Sequence, residues 1–186
     1  MSASPSQAIG RILVVDDQDI NRRVVATLLT RQGYDVISAD SGKQGISQAR
    51  QYQPDLVLLD MMMPGMDGFE LLGHFKQDAA LRRLPVVFLT AAHDRELLVR
   101  AFDSGAVDYV TKPFMPEELL ARVSAHVGLK QARDRLERVA RERQELVTLV
   151  AHDLKNPLSS VLFASDVLAS PLPRATPCAV SRYWRI

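Results

Sequence analysis

The sequence holds a single cysteine, Cys178, so no internal disulfide can form. No apolar run approaches the roughly 20 residues that a membrane-spanning helix needs. The N-terminal Met-Ser-Ala-Ser-Pro-Ser-Gln is polar and lacks a secretory apolar core. Charge of one sign is missing too. Lys and Arg number 23 against 22 Asp and Glu, and the net +1 gives no global reason to bind nucleic acid or a membrane surface. There is no Gly-x-Gly-x-x-Gly and no Walker sequence, and Gly42 and Gly45 fit no phosphate loop. That argues against a dinucleotide enzyme or a nucleotide hydrolase. These absences lead us to expect a cytoplasmic protein with neither membrane nor nucleic acid as partner.

What is present fits one domain with an appendage: 186 residues, of which 47% are hydrophobic, are enough for a core. The most informative stretch runs from Pro54 to Gly68. An apolar strand, Leu-Val-Leu-Leu, delivers Asp60 to its C-terminal end, and Pro64, Gly65 and Gly68 then force a loop. An unpaired charge is costly in a core, so this carboxylate belongs at the strand terminus. Three further runs end in polar residues: Ile12–Val15 before Asp16 and Asp17, Val86–Leu89 before Thr90, and Val107–Val110 before Thr111 and Lys112. Helical patterns lie between them at Ile20–Thr30, Gly42–Gln51, Phe69–Gln77 and Arg95–Asp103. Strands alternating with helices argue for an α/β fold with a doubly wound parallel sheet. The polar ends then share the rim where such sheets bind ligands.

Three carboxylates on one rim repel one another, each pair by about 4 kcal/mol at 4 Å and an effective dielectric near 20. Such a cluster holds a proton or a cation. Oxygen-only ligands suit a hard ion, and magnesium needs only a few carboxylates. A cation beside a carboxylate nucleophile, with Lys112 and the Thr90 hydroxyl near, is equipment for phosphoryl transfer. A lone Asp at a strand end is usually a cap or turn former; here the whole constellation carries the reading. A magnesium-dependent phosphohydrolase with an aspartyl nucleophile is the neighbouring alternative. That class places a second acid two residues after the nucleophile, where this chain has Met62. Met61, Met62, Met63 and Met66 read as loop packing, and His74 and His93 as structural.

Four segments carry a family resemblance: Ile-Leu-Val-Val-Asp-Asp (12–17), Leu-Leu-Asp-Met-Met-Met-Pro-Gly-Met-Asp-Gly (58–68), Phe-Leu-Thr-Ala (88–91) and Asp-Tyr-Val-Thr-Lys-Pro-Phe (108–114). In this order they resemble the receiver domain of bacterial response regulators over roughly residues 10 to 130. The resemblance implies a flavodoxin-like sheet of five strands. It implies that Asp60 accepts phosphate from the phosphohistidine of a histidine kinase or phosphotransfer protein. It further implies that Asp16, Asp17, Asp60 and the backbone carbonyl of Met62 hold Mg2+. Thr90 and Lys112 would grip the phosphoryl group, Tyr109 would turn inward as Thr90 moves, and the Lys112–Pro113 bond would be cis.

Beyond the receiver, Pro116, Glu117 and Glu118 open a helix well, and Gly128 weakens it without ending it. Leu129, Ala132, Leu136, Val139, Arg143, Leu146 and Val150 follow at alternating three- and four-residue steps, a heptad seam. Asp134–Arg138 and Glu137–Arg141 stand in the favourable orientation for helix ion pairs. A homodimer through 129–168 is the expectation. His-Asp-Leu-Lys-Asn-Pro-Leu (152–158) resembles the phosphoacceptor box of sensor histidine kinases. The resemblance makes His152 a second phosphoacceptor, Asp153 its base and Asn156 the water-orienting position. Pro157 would kink the helix. The expected second bundle helix and ATP-binding domain do not follow. Pro171, Pro173 and Pro177 forbid helix, and the tail reads as a truncated or frame-shifted end.

The expected organisation is therefore a disordered 1–9, a receiver over 10–128, a coiled-coil linker over 129–145, a partial kinase helix over 146–168 and an irregular 169–186. Two functions fit it. One is a switching module that takes a phosphoryl group on Asp60 and relays the change to the C-terminal helix. The other is the front of a receiver-first hybrid histidine kinase, with His152 served by an ATP-binding domain in trans. A blander third is a dimerising protein that titrates a kinase.

Overall fold

The structure, a computed structural model, describes the backbone of residues 8–91 and 95–169, and side chains for 8–91 and 96–148. The expectations for His93, Cys178, residues 1–7 and the proline-rich tail lie outside the described residues. The element order is β1 (Arg11–Val15), α1 (Asp19–Arg31), β2 (Asp35–Ala39), α2 (Gly42–Tyr52), β3 (Leu56–Asp60), α3 (Gly68–Gln77), β4 (Val86–Thr90), α4 (Arg95–Asp103), β5 (Asp108–Thr111) and α5 (Pro116–Ala169). All strand pairs are parallel, in the order β2-β1-β3-β4-β5. β2, Asp-Val-Ile-Ser-Ala, has no apolar run of its own and sits at the edge, half-exposed.

The pleat divides the core. Leu13, Val15, Val57, Leu59, Val86 and Phe88 face a layer built from Ala49 of α2, Leu71, Leu72 and Phe75 of α3, and Ala101 of α4. Ile12, Val14, Leu56, Leu58, Val87 and Leu89 face Val25 and Leu29 of α1 and Leu119, Val123 and Val127 of α5. Both faces are covered, so the strands read as unbroken apolar runs. The chain leaves β1 toward β2 and returns to β3 on β1's other side. That reversal puts a crevice at the carboxyl ends of β1 and β3, where Asp16, Asp17 and Asp60 stand.

The opposite rim is tied to α5. Arg122 and His126 bond Asp108, the first residue of β5, at 2.6 and 3.1 Å. Lys130 reaches Asp55, just ahead of β3, at 3.0 Å. Gln131 donates to the Ile9 carbonyl ahead of β1 at 2.8 Å, and Arg133 to the Arg83 carbonyl ahead of β4 at 3.2 Å. Each strand that ends in a candidate site residue is thus held near its start by one helix. These contacts extend the first of the chain's two compact units through Leu136. Asp134 is engaged by Lys130 at 2.7 Å and Arg133 at 3.5 Å.

Helix α5 passes Gly128 and Pro157 as one element. In the second unit, Glu137 and Arg141 form the expected pair at 3.5 Å. The seam residues Leu129, Leu136, Val139 and Leu146 are all more than half exposed. No helix of the described residues is long and apolar enough to cross a membrane.

Candidate functional site

Asp16 leaves β1 fully buried, and its environment answers the charge. One carboxylate oxygen accepts from the Gln18 amide at 2.8 Å; Asn21 donates to both oxygens at 3.2 and 3.1 Å; Lys112 Nζ reaches the second at 2.8 Å. Arg22 binds the Asp16 carbonyl at 2.7 Å, folding the first turn of α1 over the strand end. Asn21 escaped the sequence reading, because its role depends on the helix lying across the end of β1.

Asp60 is the last residue of β3 and only 6% exposed. Its Oδ2 lies 3.1 Å from Lys112 Nζ, and its Oδ1 accepts weakly from the Met62 amide at 3.4 Å. Burial pushes the Asp60 carboxyl above its ordinary value. Lys112 pulls it down, Asp16 adds to the upward push, and the net direction is up. Asp17 completes the group: oxygens of Asp16, Asp17 and Asp60 lie within 4.8 Å of one another. Asp17 Oδ1 is buried with no hydrogen-bond partner among the described residues. An orphaned carboxylate oxygen in an all-oxygen cluster fits a hard divalent cation. Met62, whose carbonyl the family resemblance adds to the set, lies on the following loop and is 71% exposed.

The loop after Asp60 is held by close approach. A Cβ on Gly68 would lie 2.6 Å from the Asp60 carbonyl oxygen and 2.9 Å from Met61 Cα, so only glycine fits there. Gly65 sits at φ +82°, the left-handed region. Asp67 and Glu70 form a reciprocal cap at the start of α3, legible as Asp-x-x-Glu though not read as such.

Thr90 ends β4 fully buried, and its hydroxyl donates to Met61 Sδ at 3.6 Å. Lys112 follows β5, its amide bonded to the Thr90 carbonyl at 2.7 Å, and precedes the cis Lys112–Pro113 bond. Tyr109 packs edge-on against Phe102 of α4 at 5.8 Å between ring centres, half-buried. Asp16, Asp17, Asp60, Thr90 and Lys112 therefore stand at the same edge of the sheet. His152 and Asp153 fall on α5 in the second unit, where their side chains lie outside the described residues.

A model of the response regulator receiver domain matches residues 12–124, more than half of the chain and all five of these residues. The chain belongs to that family. The receiver is 42% identical over 115 residues to the phosphate regulon transcriptional regulatory protein PhoB of Escherichia coli, covering 62% of this chain and 50% of PhoB. The chain thus spans about half the length of that curated relative. Among solved structures, the chemotaxis protein CheY4 of Vibrio cholerae matches at TM-score 0.61 and 30% identity, covering 63% of this chain and 98% of that one. The receiver domain of a signal transduction histidine kinase from Syntrophus aciditrophicus matches at TM-score 0.60 and 31% identity, covering 64% and 90%. The receiver is a part of two-component systems, and its acidic cluster suits Mg2+.

Proposed function

We propose that this receiver accepts a phosphoryl group on Asp60 from the phosphohistidine of a kinase or phosphotransfer protein and relays the change through α5. The observation that carries the reading is Lys112 Nζ held between Asp16 at 2.8 Å and Asp60 at 3.1 Å, beside the orphaned oxygen of Asp17. A structural ion pair needs one carboxylate per lysine. This one keeps two buried acids and a third open oxygen against the raised pKa that burial imposes on Asp60.

Asp16, Asp17, Asp60 and the Met62 carbonyl would hold Mg2+, which when bound neutralises the carboxylates and the phosphoryl oxygens. The chain's residues do the remainder. An ionised Asp60 oxygen attacks phosphorus in line; the new O–P bond forms as the P–N bond breaks, and the electron pair returns to the donor imidazole. Lys112 Nζ stands beside the incoming phosphoryl oxygens, and Asn21 and Gln18 donate hydrogen bonds that fix the Asp16 carboxylate. The Thr90 hydroxyl turns to the phosphoryl group, and Tyr109 leaves Phe102 for the space behind it. At the other rim, α5 is bonded to the start of β5 and to residues just ahead of β1, β3 and β4, and so feels any shift of these strands.

Intact mass after incubation with magnesium and acetyl phosphate tests the reading. One phosphoryl adduct is expected, absent from Asp60→Asn and without magnesium. A folded, magnesium-binding sample without adduct would overturn it.

A second reading makes the chain the front of a hybrid histidine kinase. It is favoured by His-Asp-Leu-Lys-Asn-Pro-Leu lying on a continuous α5, and by the kinase receiver among the structural neighbours. Phosphorylation of His152 by an added kinase ATP-binding domain, lost in His152→Ala and kept in Asp60→Asn, would support it.

A further inference from the structure

The register of the sheet determines what the Thr90 hydroxyl meets. Val57 pairs with Val86, Leu58 with Val87, Leu59 with Phe88 and Asp60 with Leu89. One step further, Met61 comes beside Thr90, on the face that Leu59 and Phe88 already share. Asp60, one residue earlier, alternates to the other side of the pleat. The side chain that follows the phosphoacceptor is therefore the lateral neighbour of the threonine that must turn toward it.

In this chain that neighbour is a methionine. Met61 and Thr90 are both fully buried, and the Thr90 hydroxyl donates to Met61 Sδ at 3.6 Å. The thioether is a weak acceptor, adequate to occupy a buried hydroxyl and easily exchanged for a charged phosphoryl oxygen. An aliphatic residue there would offer no acceptor. Met61 is itself fixed: its amide bonds the Leu89 carbonyl at 3.1 Å, its carbonyl accepts from Gly68 at 3.1 Å, and Gly68 packs against its Cα. Its sulfur belongs to the core layer on which Tyr109 packs.

We infer that Met61 is a positioning residue: its sulfur parks the Thr90 hydroxyl in the resting receiver and releases it when a phosphoryl group arrives at Asp60. The inference rests on the proposed role of Asp60 and goes beyond it, by naming what the switch hydroxyl leaves. It makes the residue after the phosphoacceptor a setting for how easily the resting state is left.

The test titrates the full chain with the phosphoryl mimic beryllofluoride and magnesium, following amide NMR shifts near Asp60 and the methyl signal of 13C-labelled Met61. Met61→Leu conserves volume while removing the acceptor, and Met61→Ile is a second aliphatic variant should Leu fold poorly. The sulfur bond favours the resting state only, so Met61→Leu should tighten beryllofluoride binding by about threefold. In a Thr90→Val background, Met61→Leu should change nothing. The Met61 methyl should shift on binding in the wild type and not in Thr90→Val. Unchanged affinity in both aliphatic variants would overturn the inference, as would an equal effect with and without the Thr90 hydroxyl, since that is repacking alone. Failure of beryllofluoride to shift the Asp60 amide would overturn the phosphoacceptor reading itself, and this inference with it.

Discussion

At the scale of single residues, the site is assembled from groups that destabilise one another. Asp60 is buried beside Asp16, so ionising it opposes folding; its carboxyl lies above the ordinary value, with burial the leading cause. A raised folded-state value means the proton is held more tightly in the native protein. Stability associated with Asp60 is thus full at low pH and falls as pH rises through its titration. Without metal at pH 7, Asp60→Asn should therefore raise stability, by roughly 1–2 kcal/mol, a few degrees in Tm. The gain should shrink as pH is lowered, which denaturant unfolding across pH would show. Magnesium should reverse the order, stabilising the wild type by mass action and the variant much less. Equal stability of the two proteins at all pH values would mean that Asp60 carries no such load. Much of this site was legible in the sequence, because carboxylates and a lysine at the ends of apolar runs announce themselves. Asn21 and Met61 did not: one needs the path of α1 across β1, the other a register known only once β3 and β4 are paired.

At the scale of elements, two features set the site's shape. Gly68 approaches the Asp60 carbonyl so closely that any Cβ must displace the loop. Gly68→Ala should cost about 1–3 kcal/mol and slow phosphorylation of Asp60 more than the lost stability explains, read as adduct formation per folded molecule. The other feature is the grip of α5 on the sheet's opposite rim. Burial would raise Asp108, but hydrogen bonds from Arg122, His126 and the Tyr109 amide outweigh it and hold the carboxyl below its ordinary value. A depressed value carries the opposite sign to Asp60: the stabilisation is present above the unfolded value and is lost as pH falls through the folded one. Asp108→Asn should therefore lose about 1–3 kcal/mol near neutrality, and the difference should close in acid. Urea unfolding at pH 7 and pH 3 separates this from a pH-independent packing loss. The elements themselves were readable wherever both faces of a strand are apolar, as in β1, β3 and β4. β2 was not, since its alternation is broken by Asp35 and Ser38 and its edge position leaves it half-exposed. Lys130, by contrast, reaches both Asp134 on its own helix and Asp55 ahead of β3, a tie that helix spacing alone does not reveal.

At the scale of the whole chain, exposed apolar residues recur along α5. Leu129 and Leu136 lie in the first unit and Val139 and Leu146 in the second, all exposed. They recur at heptad spacing, and a chain that kept them in water would forgo the burial the pattern offers. Three heptads are marginal alone, so association should be weak in the resting protein and sensitive to any change reaching α5. Sedimentation velocity of the full chain at on the order of 100 μM should show a monomer–dimer equilibrium displaced toward dimer by magnesium and beryllofluoride. Leu136→Lys places a charge in the seam and should return the protein to monomer while leaving phosphoryl uptake at Asp60 intact. Asp60→Asn should abolish the displacement while leaving the basal equilibrium. A chain that stays monomeric with and without the mimic would remove the dimer from the relay. Dimerisation unaffected by Leu136→Lys would move the interface off the seam and onto the receiver's own faces.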